Sequence, residues 1–208
     1  MSLWIIYGTQ FRAKYHKDHL LARIIAKGDY PPMKVFVAGS KNISSLDREV
    51  QRRLSSICEK GYSILVGDCY GVDSQVQDFC FRNNYQNVSV YANNGLPRNN
   101  IGGWPVKPII VTASVKDFEF YSKKDAALCR DADYGYMVWD GRSKGTLRSI
   151  ADLAEQGKMT LIYLSPIRKT VHVQSKEELE KLIAVCPAET RALYSEIELQ
   201  PTQISLFD

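Results

Sequence analysis

Apolar and polar positions alternate in blocks along most of the chain, and the blocks have two periods. Short runs such as "MKVFVAG" (33–39), "YSILVG" (62–67), "NVSVYA" (87–92), "YGYMVWD" (134–140) and "MTLIYLS" (159–165) are almost continuously apolar and rich in β-branched residues. Runs of this length and kind predict strands buried on both faces. Between them the period lengthens. In 44–61, Leu46, Val50, Leu54 and Ile57 recur at helical spacing and Gly61 ends the pattern. Helices are also predicted over 73–83, with Val76, Phe79 and Cys80 inward, over 117–132 and over 144–158. A long Gly-, Pro- and Asn-rich loop occupies 93–108.

Strand–helix alternation of this kind predicts an α/β fold: a Rossmann-like open, mainly parallel sheet of about five strands with helices on both faces. The expected domain covers 33–166. A polar C-terminal extension, 167–208, contains a helix opened by Ser175 with Glu178 three residues on, a capping box, and ends in a tail. An N-terminal arm, 1–32, ends in Tyr30-Pro31-Pro32. "LWIIYG" reads as an extra strand, and Phe11, Tyr15, Leu20, Ile24 and Ile25 line a helix. Equally, Met33 opens the first strand directly and would serve as an alternative start.

Composition narrows the class. The chain has 208 residues, 45% hydrophobic and 24% charged, which fits one domain with appendages. No apolar stretch approaches a membrane span and no secretory signal is visible, so a cytoplasmic protein is expected. Five cysteines without a Cys-x-x-Cys pair point to reduced, mostly buried thiols. His16 and His19 lack a nearby third ligand, so no metal is expected. Of 27 Lys and Arg, five lie in 1–32, leaving 22; of 23 Asp and Glu, two lie there, leaving 21. The balanced remainder lacks the charge excess of a bulk DNA binder, yet leaves room for a local anion site.

The candidate chemistry sits where predicted strands end, the edge at which open parallel sheets bind ligands. After the first strand come Gly39, Ser40 and Lys41. After the second come Gly67, Asp68, Tyr70, Gly71 and Asp73. After the fourth come Asp140, Gly141, Arg142, Lys144, Gly145 and Thr146. Glycines admit close approach to the backbone, helix N-termini present free amides, and Lys41, Arg142 and Lys144 add positive charge. Phosphate is the guest such loops suit. Each feature also has a plainer role: glycine makes turns, and Asp73 is a ready helix cap. Trp139, Tyr70 and Trp104 are either base-stacking or packing aromatics. No Walker A and no Gly-x-Gly-x-x-Gly follows the first strand, which speaks against an ATPase or an ordinary dinucleotide dehydrogenase.

"VFVAGSK", "ILVGDCYGVDSQV" and "DYGYMVWDGRSKGTLRSI" together resemble the SLOG superfamily, which joins LOG-type phosphoribohydrolases, DNA-processing protein A and small bacterial nucleotide-binding proteins. The resemblance covers about residues 33–166 and implies a Rossmann-like fold. It also implies a nucleotide-type ligand, with phosphate near Ser40, Lys41, Gly71, Gly145 and Thr146. The LOG enzymes carry Pro-Gly-Gly-x-Gly-Thr-x-x-Glu with a catalytic glutamate; aligned on Gly145-Thr146, that position here is Ser149. Cleaving an N-glycosidic bond would therefore need another acid. Asp68, Asp73, Asp125 and Asp140 are available, with Asp140 and Asp68 the candidate catalytic residues. The leading expectation is a nucleotide-binding sensor or sequestering module, and the alternative is a nucleotide N-glycosidic bond hydrolase. By analogy with related folds, a homodimer is a further expectation.

The tail offers a third reading. Gln203-Ile204-Ser205-Leu206-Phe207 resembles the short peptide by which bacterial proteins dock on the DNA polymerase sliding clamp. Gln203 would be the amide anchor, and Leu206 and Phe207 the apolar plugs. The alternative is that Leu206 and Phe207 fold back on their own domain.

Overall fold

A computed structural model describes residues 32–112 and 118–198. Seven strands run in the order β4-β3-β2-β1-β5-β6-β7. They are β1 (Lys34–Gly39), β2 (Ser63–Val66), β3 (Val88–Asn93), β4 (Val106–Ile109), β5 (Tyr134–Trp139), β6 (Thr160–Leu164) and β7 (Lys169–Val173). Every neighbouring pair is parallel except β6–β7, which is antiparallel. The helices are α1 (Arg48–Glu59), α2 (Val72–Arg82), α3 (Phe118–Asp131), α4 (Lys144–Glu155), α5 (Lys176–Ala184) and α6 (Ala188–Glu198).

The count of about five strands is corrected to seven. The five apolar runs all form strands. The two extra strands lie at the sheet's edges, where one side of the ladder is unpaired and the apolar signal weakens. β4 reads Val-Lys-Pro-Ile, with Pro108 tolerated because an edge strand need not donate outward. β7 alternates, Lys-Thr-Val-His-Val, and turns Val173 inward. It draws part of the segment after residue 166 into the sheet.

Alternation within each strand divides the core in two. Val35, Val37, Ile64, Val66, Tyr136, Val138 and Tyr163 face α1 and α2, where Val50, Leu54, Ile57, Val72, Val76 and Cys80 meet them. Phe36, Leu65, Met137, Trp139, Ile162 and Val173 face the opposite way. They pack on α3 and α4, and their layer extends to Leu179 and Ile183 of α5 and Tyr194 and Ile197 of α6. Both faces are covered, which is why the central strands carry unbroken apolar runs. Half of the capping box forms: Ser175 Oγ accepts from the Glu178 amide at 3.3 Å, whereas the Glu178 carboxylate accepts from the amide of Gln174, one residue before the cap. Among the described residues, no helix is long and apolar enough to cross a membrane. The histidine pair, the arm and the tail motif of Gln203, Leu206 and Phe207 lie outside the described residues.

The candidate nucleotide-phosphate site

The chain reverses its direction of winding between β1 and β5. β1 leads through α1 to β2 on one side, while β5 lies on the other and leads to β6. Such a switch point opens a crevice at the carboxyl edge. Ser40, just past β1, is its hub and is fully buried. Its amide donates to Val138 O of β5 at 3.0 Å, and its hydroxyl accepts from the Asp140 amide at 3.0 Å. Its carbonyl accepts from the Ile43 and Val72 amides at 3.2 and 3.4 Å. One serine thus ties together the loops after β1, β2 and β5.

Two glycines earn their place by contact with protein. At Gly39, a Cβ would stand 2.1 Å from Val138 O. Gly71 has φ +77° and ψ −130°, outside the range of other residues, and its Cβ would meet the Lys41 backbone at 2.4 Å. Both positions allow one loop to lie on the next. Gly145 differs. A Cβ there would have nothing within 4 Å, so neither strain nor crowding explains the glycine. It occupies the first turn of α4, whose N-cap is Ser143: Ser143 Oγ accepts from the Thr146 amide and from the Thr146 hydroxyl at 3.0 Å. Arg142, exposed at the start of α4, pairs with Glu189 at 3.7 Å, and Lys41 is exposed in the loop after β1, against Gly71. Lys144 pairs with Glu196 at 3.3 Å and lies over the Phe118 ring. Tyr70 is exposed, whereas Trp139 and Trp104 are packed into the core.

The candidate acids are all engaged. Asp140 Oδ1 accepts from the Arg142 and Ser143 amides at 2.9 and 2.8 Å, which fixes the turn that delivers α4. Gly141, at φ +79°, completes that turn, and its carbonyl accepts from the Thr190 hydroxyl of α6 at 2.8 Å. Asp68, only 4% exposed, receives Arg98 at both oxygens, 2.8 and 3.2 Å, and the Arg98 amide at 3.0 Å. Burial alone would raise its carboxyl, but Arg98 and Lys124 outweigh burial and hold it below its ordinary value.

Asp73 is not the cap of α2, since Gly71 holds that position. Its carboxylate turns inward, accepts from the Cys69 amide at 3.2 Å and faces Lys124. Burial pushes it up to about 6, against the pull of Lys124 and with the push of Asp125 and Asp68. Lys124, 4% exposed, sits 2.9 Å from Asp125 and 3.7 Å from Asp68. Burial disfavours its charge, but Asp125, Asp73 and Asp68 more than offset this and keep it protonated. A Cβ on Gly67 would fall 2.3 Å from the Asp73 carboxylate and 2.6 Å from Lys124 Nζ, so this glycine makes room for the cluster.

Arg98, Lys124 and Gln77 are the structural residues that sequence reasoning misses. Gln77 Nε2 donates to Gly67 O at 2.9 Å, and its Oε1 accepts from the Ile101 amide at 3.0 Å. Ser149, aligned with the glutamate of the resembled enzymes, is buried and donates to Gly145 O at 3.2 Å. Among the described residues, no group of three or more His, Cys, Asp or Glu side chains is arranged to hold a metal ion.

No protein-family model and no curated protein matches the chain. Among solved structures it is similar to DNA processing protein A from Helicobacter pylori, a structure described for its single-stranded DNA binding mode. The TM-score is 0.52, with 12% sequence identity over 80% of this chain and 81% of that one. At this identity the likeness is one of fold, and the chain is a distant, Rossmann-like structural relative of that protein.

Proposed function

We propose that the chain binds a nucleotide or nucleotide-derived molecule by its phosphate, as a SLOG-type sensor or sequestering module. The phosphate would lie over Gly145 and the first-turn amides of α4, flanked by Lys41, Arg142 and Lys144. The observation that carries this reading is the open space above Gly145: it is the glycine of the three loops that neither conformation nor neighbours require. A helix N-terminus with cations beside it suits an anion. The structural neighbour's DNA ligand, a chain of nucleotides, is loosely in keeping with this.

Binding is favoured over bond cleavage because the candidate acids are already committed. Asp68 is neutralised by Arg98, Asp140 holds its own loop, and Asp73 and Asp125 flank Lys124. A hydrolase would have to release one of them at a cost.

Gly145→Ala tests the reading cleanly. Alanine is better than glycine inside a helix by about 0.5–1 kcal/mol, so the variant should unfold at higher temperature. Its methyl group would occupy the phosphate's position, so calorimetric titration with nucleoside monophosphates should show affinity at least about tenfold weaker. A variant that is stabilised yet binds as the parent does, or a parent that binds no nucleotide, would reject the proposal.

A further inference from the structure

Two cations of the phosphate loop are held by acids from a distant part of the chain. Lys144 pairs with Glu196 at 3.3 Å, and Arg142 with Glu189 at 3.7 Å. Both acids belong to α6. They stand seven residues apart, about two turns, so they share one face of that helix. A third contact comes from the same stretch. Thr190 is only 2% exposed, and its hydroxyl donates to Gly141 O at 2.8 Å. Gly141, Arg142 and Lys144 are thus each met by a side chain of α6.

The two sides of α6 do different work. Thr190, Tyr194 and Ile197 are buried, and the last two belong to the core layer that also contains Leu147 and Ile150 of α4. These residues seat the helix. Glu189 and Glu196 are exposed and take no part in that packing. Exposed ion pairs add little to stability, so the fold does not depend on them. Their effect on an anion is larger. Each carboxylate stands within hydrogen-bonding or ion-pairing reach of a cation that a phosphate at Gly145 would use. An incoming phosphate must displace it, and once bound is repelled by it.

Resting on the phosphate site proposed above, we infer that α6 is an acidic cover that competes with the ligand for Arg142 and Lys144. In the absence of ligand, Glu189 and Glu196 take the part of phosphate oxygens. When a phosphate binds, the two carboxylates turn out to solvent while Thr190, Tyr194 and Ile197 keep the helix in place. The ligand's apparent affinity is lowered by the fraction of time for which the cations are covered. Two exposed pairs of this kind correspond to about fivefold in affinity. The pair with Lys144 is the shorter and the less exposed, so Glu196 carries the greater share. α6 therefore sets the concentration at which the site fills, through side chains the fold does not require.

The test is calorimetric titration of the full chain and of the double variant Glu189→Gln, Glu196→Gln with AMP, GMP and adenosine. A second double variant, Glu59→Gln with Glu155→Gln, makes the same change in net charge. Its sites are exposed at the ends of α1 and α4, which return the chain to the amino edge of the sheet. Folding should be unchanged in both. The α6 variant should bind AMP and GMP at least about fivefold more tightly than the parent, with Glu196→Gln alone giving most of the gain. The control variant should gain less than about twofold, and adenosine, which lacks the phosphate, should bind the parent and the α6 variant alike. An α6 variant that binds the monophosphates as the parent does, a control that gains as much, or an equal gain for adenosine overturns the inference. If the parent binds AMP or GMP and Gly145→Ala weakens it while the α6 variant changes nothing, the phosphate site stands and the acidic cover falls. If the parent binds no nucleotide, both fall.

Discussion

Replacing Asp73 by Asn should make the protein more stable at neutral pH, and by an amount that depends on pH in a defined direction. Asp73 is 5% exposed and its carboxyl is raised from 3.8 to about 6, principally by burial. At about 1.4 kcal/mol per pH unit, that difference makes ionising Asp73 in the folded protein cost about 3 kcal/mol. The folded state holds this proton more tightly than the unfolded chain does. The group's contribution to stability is therefore complete below pH 3.8 and lost as pH rises through about 6. Asparagine keeps the volume and an oxygen for the Cys69 amide, but does not titrate. Urea unfolding of parent and variant from about pH 3.5 to about pH 7.5 should show the difference moving in the variant's favour by about 3 kcal/mol. Taking the difference removes the other carboxylates, Asp68 among them, whose lowered value acts in the opposite sense. A difference that stays flat, or moves toward the parent, would refute the account of a buried carboxylate only partly compensated by Lys124.

Two further outcomes follow from the same neighbourhood. Lys124→Met strips the cation from between Asp68, Asp73 and Asp125 and should cost about 3–5 kcal/mol at neutral pH by chemical denaturation. The loss should ease on acidification, as Asp73 takes a proton. Gly71→Ala must place a methyl 2.4 Å from the Lys41 backbone at a φ of +77°, so thermal unfolding should report a loss of at least about 2 kcal/mol.

The doubly covered strands were readable because their apolar runs are unbroken, and the helices on them because Val50, Leu54 and Ile57 repeat at helical spacing. The two edge strands were not. Val106–Ile109 contains a proline inside a Gly- and Pro-rich stretch, and Lys169–Val173 has one buried side and a polar composition. α1 starts at Arg48 rather than at Ser44, because the backbone is still extended at Asp47, the N-cap, with φ −62° and ψ 154°. At the site, glycines and small polar residues announced the loops. Their partners were silent: Lys124 follows Lys123 in what reads as a solvated helix face, and Arg98 lies in an irregular loop. Only the folded path shows that Arg98 comes to Asp68 from 30 residues away. The same reasoning explains Asp73. A carboxylate at the start of a helix reads as a cap, and nothing local shows the buried lysine it turns toward.

The bond between the Asp140 amide and Ser40 closes a separation of 100 residues, and the pairing of β1 with β5 beside it is equally remote. Contacts this distant in sequence are slow to form, because a long loop must be closed before any of them is gained. On the ribosome, β1, β2 and β3 emerge well before β5, and β1 is left with one open edge until its central neighbour arrives. The crevice is therefore a late product of folding: no fragment that stops short of residue 140 contains it, and a ligand that requires it can select only chains in which the middle of the sheet has already closed.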